Sequence, residues 1–291
     1  MSEIAIHQGE PVRSPEQNPG APAQAHGLDA NEHSHGHHGP AHLHHHFTDV
    51  AQQRESNALG MWVFMVTEVM TFGALFFVYT LYRHLFDTAA FQSGFVSPFA
   101  TGSHLLNHTL GFINTLVLLV SSLTMAGAVH NAVIKNRKWM IRLLCITWML
   151  GLAFLVIKGF EWAADYQEGL VPALNWNPAE TLEHHGYVLA TVDGINGGAV
   201  FQGARPTGAG FEGIVNGMQM QMFFVIYFCL AGLHAIHMII GLGLVGTYIR
   251  HASVGIFDKG NDQPVEILGL YWHFVDIVWV FLYPLLYLIA H

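Results

Sequence analysis

Charged residues are scarce in this chain, and their scarcity limits the class of protein. Of 291 residues, 11 are Lys or Arg and 20 are Asp or Glu, so 11% are charged, while 52% are hydrophobic. Soluble domains have about 25% charged residues. The net charge of -9, without a long basic run, argues against a nucleic-acid-binding surface. The composition therefore predicts a membrane protein with no nucleic-acid partner.

Cysteine is also rare. The chain has 2 cysteines, Cys145 and Cys229, and each lies inside an apolar run rather than in a CxxC or CxxCH pattern. Neither a disulfide framework nor a covalently attached c-type haem is indicated. We expect both cysteines to be buried packing residues.

The first 57 residues lack the apolar content that a folded core requires. They are rich in Pro, Gly, Ala, Gln and His, and they lack the basic and apolar segments of a secretory signal. We expect residues 1–57 to form a disordered, His-rich tail. Solvated low-complexity sequence is the simpler interpretation of its HSHGHHGPAHLHHH segment, but weak metal binding stays open at His35, His37, His38, His44, His45 and His46.

Long apolar runs fill most of the remaining chain, at about 59–85, 105–129, 141–164, 219–249 and 268–290. Each reaches the roughly 20 residues that a helix needs to cross a bilayer. Residues 165–218 are rich in Gly, Pro and Asn and cannot lie in lipid with their backbone unsatisfied. The sequence thus predicts an all-α membrane protein, in which residues 58–291 form five transmembrane helices with an extramembrane loop at 165–218.

The basic residues predict the orientation, because loops on the cytoplasmic side retain Lys and Arg. A cytoplasmic N-terminus and a periplasmic C-terminus place most of them inside: Arg13, Arg54, Lys135, Arg137, Lys138, Arg142, Arg250 and Lys259. Aromatic residues near the helix ends fit interfacial belts: Trp62, Tyr79, Tyr82, Trp139, Trp162, Tyr166, Tyr248, Tyr271, Tyr283 and Tyr287. We expect a multi-pass protein of the bacterial inner (plasma) membrane.

Some ionisable side chains fall inside the apolar runs, where inserting a charge costs about 2.5–3.5 kcal/mol. Glu68 has no Lys or Arg within two turns. It is either a protonated carboxyl hydrogen-bonded to another helix or a site for protons or lipid headgroups. Lys158, Glu161 and Asp165 share one helix face, so the first two should pair, with Asp165 already among the headgroups.

Histidines in the apolar runs raise the question of haem. His234 and His237 are three residues apart on one helix, whereas bis-His ligation needs imidazoles from two helices. Hydrogen bonds across helices are the simpler role, and His273 with Asp276 should form a structural polar clamp. A stand-alone b-type cytochrome using His108, His130, His234 or His273 stays an alternative. A cation transporter with Glu68 and Glu161 as ligands is disfavoured, since no Gly- or Pro-interrupted half-helices recur.

Five motifs in order, from Leu59 to the C-terminus, resemble subunit III of the haem-copper oxygen reductases, which include cytochrome c oxidase and bacterial quinol oxidases. They are WVFMVTEVMTFGALFF, LLNHTLGFINTLVLLVSSLTMAGAVHNA, LGLAFLVIKGFEWAADY, FCLAGLHAIHMIIGLG and YWHFVDIVWVFLY. The first is similar to the helix with an intramembrane Glu, here Glu68. The third is similar to LGxxFxxxQxxEY, so Lys158 stands where the family has Gln and Glu161 takes the Glu position. The fourth is similar to the family's His-x-x-His motif, filled by His234 and His237.

The resemblance implies a subunit with no catalytic residue and no cofactor of its own. Haem and copper would lie in partner subunits I and II, and structural phospholipid would fill a cleft in this chain. Glu68 would be the family's carbodiimide-reactive carboxyl in that cleft. The matched residues assigned to the lipid cleft or to proton uptake are Glu68, His130, Glu161, His234, His237 and Arg250, with His251 competing for the lipid phosphate contact of Arg250.

The expected function is subunit III of a proton-pumping terminal oxidase of the cytochrome c oxidase type. It would bind lipid and support assembly, proton uptake and turnover stability while the complex reduces O2 to water. A subunit III-like protein of a quinol oxidase or nitric oxide reductase is the alternative. Two helices of the longer family members are missing, and 165–218 holds an apparent insertion, which could dock an electron donor.

Overall fold

The structure is a computed structural model that describes residues 50–93, 97–193, 199–206, 215–255 and 263–288. The helices are α1 (Val50–Ser93), α2 (Pro98–Leu105), α3 (His108–Val133), α4 (Arg137–Gln167), α5 (Ala179–His184), α6 (Gly217–Val254) and α7 (Gln263–Tyr287). The strands are β1 (Tyr187–Asp193), β2 (Ala199–Pro206) and β3 (Val215–Asn216). The His-rich segment and its predicted metal ligands lie outside the described residues.

Five of the described helices are long and apolar enough to cross a membrane: α1, α3, α4, α6 and α7. The prediction of an all-α membrane protein with five transmembrane helices is confirmed. The orientation of the termini stays a prediction. The first helix begins at Val50, before the expected end of the tail at residue 57.

α1 is tied to its neighbours at three positions spaced eleven residues apart. Asn57 donates from Nδ2 to Oε1 of Gln263 at the start of α7 (3.2 Å), and the Gln263 amide donates to the Arg54 carbonyl (2.6 Å). Glu68 contacts α6, and the Tyr79 hydroxyl donates to the Leu285 carbonyl near the end of α7 (2.7 Å). Eleven residues make about three helical turns, so the three tied positions share one face of α1.

Side chains also satisfy the backbone at several other helix ends. Asn107 and Asn216 accept from the first backbone N–H groups of α3 and α6, at 3.1 Å to Leu110 N and 3.0 Å to Met218 N. Arg137, at the start of α4, donates to the Ala252 carbonyl at the end of α6 (2.8 Å). The start of α4 is therefore hydrogen-bonded to the end of α6.

The predicted extramembrane loop is folded. Between α4 and α6 the described residues form the short helix α5 and an antiparallel sheet in the order β1-β2-β3, in which Tyr187 of β1 pairs with Pro206 of β2. Neither these strands nor α2 was expected from the sequence. Phe99 of α2 is fully buried among the transmembrane helices. α4 also continues through Asp165 to Gln167, so Asp165 lies in a helix.

Indole and hydroxyl groups join α7 to α3 within the membrane. Trp272 Nε1 donates to Ser121 Oγ at 2.9 Å, and Trp279 Nε1 donates to Thr115 Oγ1 at 3.1 Å. Between helices surrounded by lipid the hydrophobic effect contributes little, so close packing and such polar contacts hold a bundle together. Gly151 of α4 provides the space for the Trp272 ring.

Two expectations about side-chain positions were wrong. Cys145 and Cys229 are exposed rather than buried, because thiols are apolar enough to face lipid. Tyr79, Tyr271 and Tyr287 are buried in the bundle rather than placed in interfacial belts. Each finds a hydrogen-bond acceptor there, as a buried phenol requires.

Replacing Gly151 by Ala is expected to destabilise the protein. A Cβ at this position would lie 2.7 Å from the Trp272 ring and 3.0 Å from Leu242, and overpacking of this kind costs about 1–3 kcal/mol. Unfolding by denaturing detergent, followed in mild-detergent micelles, measures the change. Gly159→Ala is the matched control, because it gains the same helix propensity and its Cβ would meet nothing within 4 Å. Equal stability of the two variants would contradict the packing role.

Candidate functional site

Glu68 of α1 and His237 of α6 form a pair inside the membrane. His237 Nε2 lies 2.9 Å from Glu68 Oε2. The other ring nitrogen, Nδ1, lies 2.8 Å from the Leu233 carbonyl, and a carbonyl can only accept, so Nδ1 carries a hydrogen. The 2.9 Å contact then shares a single proton, which resides on the carboxyl or on the imidazole, and in either case the pair is neutral overall.

The surroundings of this pair fix the His237 ring. Phe72 of α1 packs against the imidazole with ring centroids 5.3 Å apart. The Tyr271 hydroxyl of α7 donates to the His237 backbone carbonyl at 2.9 Å. Three helices therefore meet at one intramembrane carboxyl, whose side chain remains 18% exposed.

A cavity of about 470 Å³ opens beside the pair. It is enclosed by α1, α6 and α7, and its lining is mainly apolar: Met61, Phe64, Glu68, His237, Ile240, Leu244, Tyr248, Ile267, Leu268 and Tyr271. Glu68 lies two turns, about 10 Å, further along α1 than Met61. The cavity thus begins near the first residues of α7 and reaches the Glu68 carboxyl deep in the membrane, a shape and chemistry that suit an acyl chain.

A second polar cluster, here called the Lys158 cluster, comprises Lys158, Glu161, Asp165, Tyr227 and Tyr287. Lys158 Nζ lies 3.1 Å from Glu161 Oε1 and donates to the Tyr227 hydroxyl at 3.0 Å and to the Tyr287 hydroxyl. Tyr287 donates to Glu161 Oε1 at 2.5 Å. The predicted Lys158 to Glu161 contact is present, and it is fully buried between α4, α6 and α7.

Asp165 also belongs to this cluster, and its predicted depth among the headgroups stays a prediction. It is 5% exposed, and its Oδ2 lies 3.4 Å from the Tyr227 hydroxyl. The Lys158 ammonium additionally lies over three aromatic rings, of Tyr227, Trp279 and Tyr287, at 5.0, 5.3 and 5.1 Å from their centroids. These rings supply favourable electrostatics for a cation removed from water.

The polar clamp of α7 differs from the expected one. His273 Nδ1 lies 2.7 Å from Ser122 Oγ of α3, so the clamp joins two helices as expected. Asp276 does not pair with His273, and its buried carboxylate oxygens have no hydrogen-bond partner among the described residues.

The remaining predicted site residues do not join either cluster. His234 is fully buried between the rings of Phe154 and Trp279, and neither ring nitrogen has a partner in the described part of the chain. His130 in the last turn of α3 and Arg250 near the end of α6 are exposed. Within residues 50–93, 97–193, 199–206, 215–255 and 263–288, no three His, Cys, Asp or Glu side chains form a potential metal site.

Most of the chain matches one known protein family. Residues 36–167 and 202–291 match the family described as cytochrome c oxidase subunit III. The chain belongs to this family. The resemblance to subunit III of the haem-copper oxidases is therefore confirmed, and this subunit III is part of a respiratory oxidase complex in which it associates with other oxidase subunits.

Bacterial relatives of this subunit III are similar over nearly their full length. The probable quinol oxidase subunit 3 of Staphylococcus haemolyticus (strain JCSC1435) is 24% identical over 234 residues, which cover 80% of this chain and 89% of the relative. The protein of the same name from Staphylococcus aureus (strain USA300) is 25% identical over 236 residues, covering 81% and 90%. Five apolar helices and these relatives identify a multi-pass bacterial membrane protein.

A double-mutant cycle on Glu68→Gln and His237→Gln is expected to show coupling of roughly 0.5–3 kcal/mol, because contacting residues are energetically non-additive. The readout is the unfolding free energy of this subunit III in detergent. The same cycle with Glu68→Gln and His130→Gln is the control, since His130 is exposed at the end of α3. Additive effects at Glu68 and His237 would show that their contact contributes nothing to stability.

Proposed function

We propose that this chain is the non-redox subunit III of a proton-pumping terminal oxidase. Its role is to bind phospholipid and to support assembly, proton uptake and stability during turnover, while haem and copper in subunits I and II reduce O2 to water. The observation that supports this most directly is the Glu68 to His237 pair at the deep end of an apolar cavity. An acyl chain fits such a cavity, and a carboxyl sharing a proton with a histidine fits a role in proton uptake.

Arg250 is proposed as the contact for the phosphate of this lipid. Its side chain is exposed near the end of α6, on the opposite side of the helix from Tyr248, which lines the cavity. His251 lies one turn after Tyr248, with the two rings 6.4 Å apart, and stays the competing candidate for this contact. A guanidinium at that depth suits an anionic headgroup at the interface. Segment 165–218 is the proposed docking surface for an electron donor or a further subunit.

The electron donor has two candidates. A complex of the cytochrome c oxidase type is the function first expected for this family, whereas a quinol oxidase is favoured by the names of the Staphylococcus relatives. The purified complex distinguishes them by oxidising either reduced cytochrome c or a quinol with uptake of O2. Nitric oxide consumption by a complex with only b- and c-type haem would point instead to a nitric oxide reductase.

Glu68 is expected to be the carboxyl that a hydrophobic carbodiimide labels in the intact complex. Its side chain is 18% exposed next to the cavity, whereas that of Glu161 is 2% exposed and bonded to Lys158. Labelling, measured by mass spectrometry of this chain, should disappear in Glu68→Ala and persist in Glu161→Gln. Glu68→Ala should also shorten the time over which O2 uptake persists. Undiminished labelling of Glu68→Ala would exclude Glu68 as the reactive carboxyl.

Filling the cavity is expected to displace lipid. Ile240→Trp places an indole against the cavity wall, so the phospholipid phosphorus retained per haem after purification should fall. Ile239→Trp is the matched control, because Ile239 is exposed on the same helix but does not line the cavity. An equal lipid content in both variants would show that this cavity is not the binding site.

A further inference from the structure

No residue of the Lys158 cluster lines the apolar cavity beside Glu68, and the charges of the cluster do not balance. It contains one ammonium, of Lys158, and two carboxyl groups, of Glu161 and Asp165, and these three residues are 2%, 3% and 5% exposed. A buried ion with no counter-ion costs several kcal/mol. With both carboxylates ionised, the cluster would hold one uncompensated negative charge inside the bundle.

The hydrogen bonds show which carboxyl group pairs with the Lys158 ammonium. Glu161 Oε1 receives Lys158 at 3.1 Å, Tyr287 at 2.5 Å and Tyr227 at 3.3 Å. Asp165 receives only the Tyr227 hydroxyl, at 3.4 Å, and among the described residues no ion pair reaches it. Tyr227 has a single hydroxyl hydrogen, so it cannot donate to both carboxylates at once. Glu161 is thus the stabilised anion, and Asp165 lacks the donors that an ionised carboxylate needs.

We propose that the Lys158 cluster is a proton-binding site, in which Asp165 holds the proton and Glu161 with Lys158 forms the ion pair. This arrangement makes the cluster neutral. Glu161 Oε2, the other oxygen of the ion-paired carboxylate, is buried and has no hydrogen-bond partner among the described residues. The site is distinct from the Glu68 to His237 pair, which lies on α1 and α6.

The proton can come from water at the end of α4, where the chain enters the extramembrane segment. Asp165 lies two residues before the end of α4, and the next residues, Tyr166, Gln167 and Glu168, are exposed. A polar cavity of about 710 Å³ begins at Gln167 and Glu168. The titratable groups that act on Asp165 are Lys158 and Glu161 of α4, Glu168 just after α4, Tyr227 of α6 and Tyr287 of α7.

Infrared spectra of the purified whole oxidase test this assignment. Variant-minus-wild-type difference spectra are recorded in the carbonyl-stretch region of protonated carboxylic acids, in water and in D2O. Asp165→Asn should remove one carboxylic acid band that shifts on deuteration. Glu168→Gln is the matched control, because the Glu168 side chain is exposed to water and lies outside the buried cluster, so the carboxylic acid region of the spectrum should not change.

Lys158→Gln tests the charge balance by removing the cation instead of a carboxyl group. Without the ammonium, Glu161 has no counter-ion and should take up a proton, so one carboxylic acid band should appear. The haem content of each complex reports its assembly. If Asp165→Asn does not assemble, Asp165→Glu should shift the band instead of removing it. An unchanged carboxylic acid region in the Asp165 variants, or no new band in Lys158→Gln, would overturn the proposal.

Discussion

A polar group inside the bilayer is costly to leave without a partner in the protein, and this constraint shapes how the bundle is assembled. The indoles of α7 reach hydroxyls of α3, Tyr79 of α1 reaches a backbone carbonyl of α7, and His237 of α6 reaches Glu68 of α1. Because lipid is as apolar as leucine, such contacts specify which helix lies beside which. The polar residues that carry the candidate chemistry are also those that set the helix arrangement.

The number of helices and their approximate bounds could be predicted, because apolar length is a local property of the sequence. The Lys158 to Glu161 contact was predicted for the same reason, since one helical turn brings the two side chains together. The partner of Glu68 was not predictable. His237 is 169 residues away, and a helix that is apolar on all sides gives no indication of which face meets which neighbour.

The tyrosines show where sequence reasoning chose the wrong environment. Tyr271 and Tyr287 fall near helix ends, where aromatic belts occur, but both are buried and hydrogen-bonded. Position along a helix fixes depth in the membrane, whereas direction around the helix decides between lipid and protein. The helix α2 was missed because its 8 residues are too few to produce a distinct periodicity. The strands β1 and β2 were missed because they lie in a segment that was read as a single loop on account of its Gly, Pro and Asn content. The end of α4 was placed too early because Asp165 was counted as a loop residue.

α1 exposes most of its apolar surface, and three evenly spaced positions on one of its faces are hydrogen-bonded to α6 and α7. The middle tie is the Glu68 carboxyl itself. A reagent that attaches to this carboxyl does more than block an acidic group, because it also breaks the hydrogen bond between Glu68 and His237 that joins the middle of α1 to α6. Loss of activity after such a modification would then reflect a weaker attachment of α1 to its neighbours as well as the loss of a group that carries a proton.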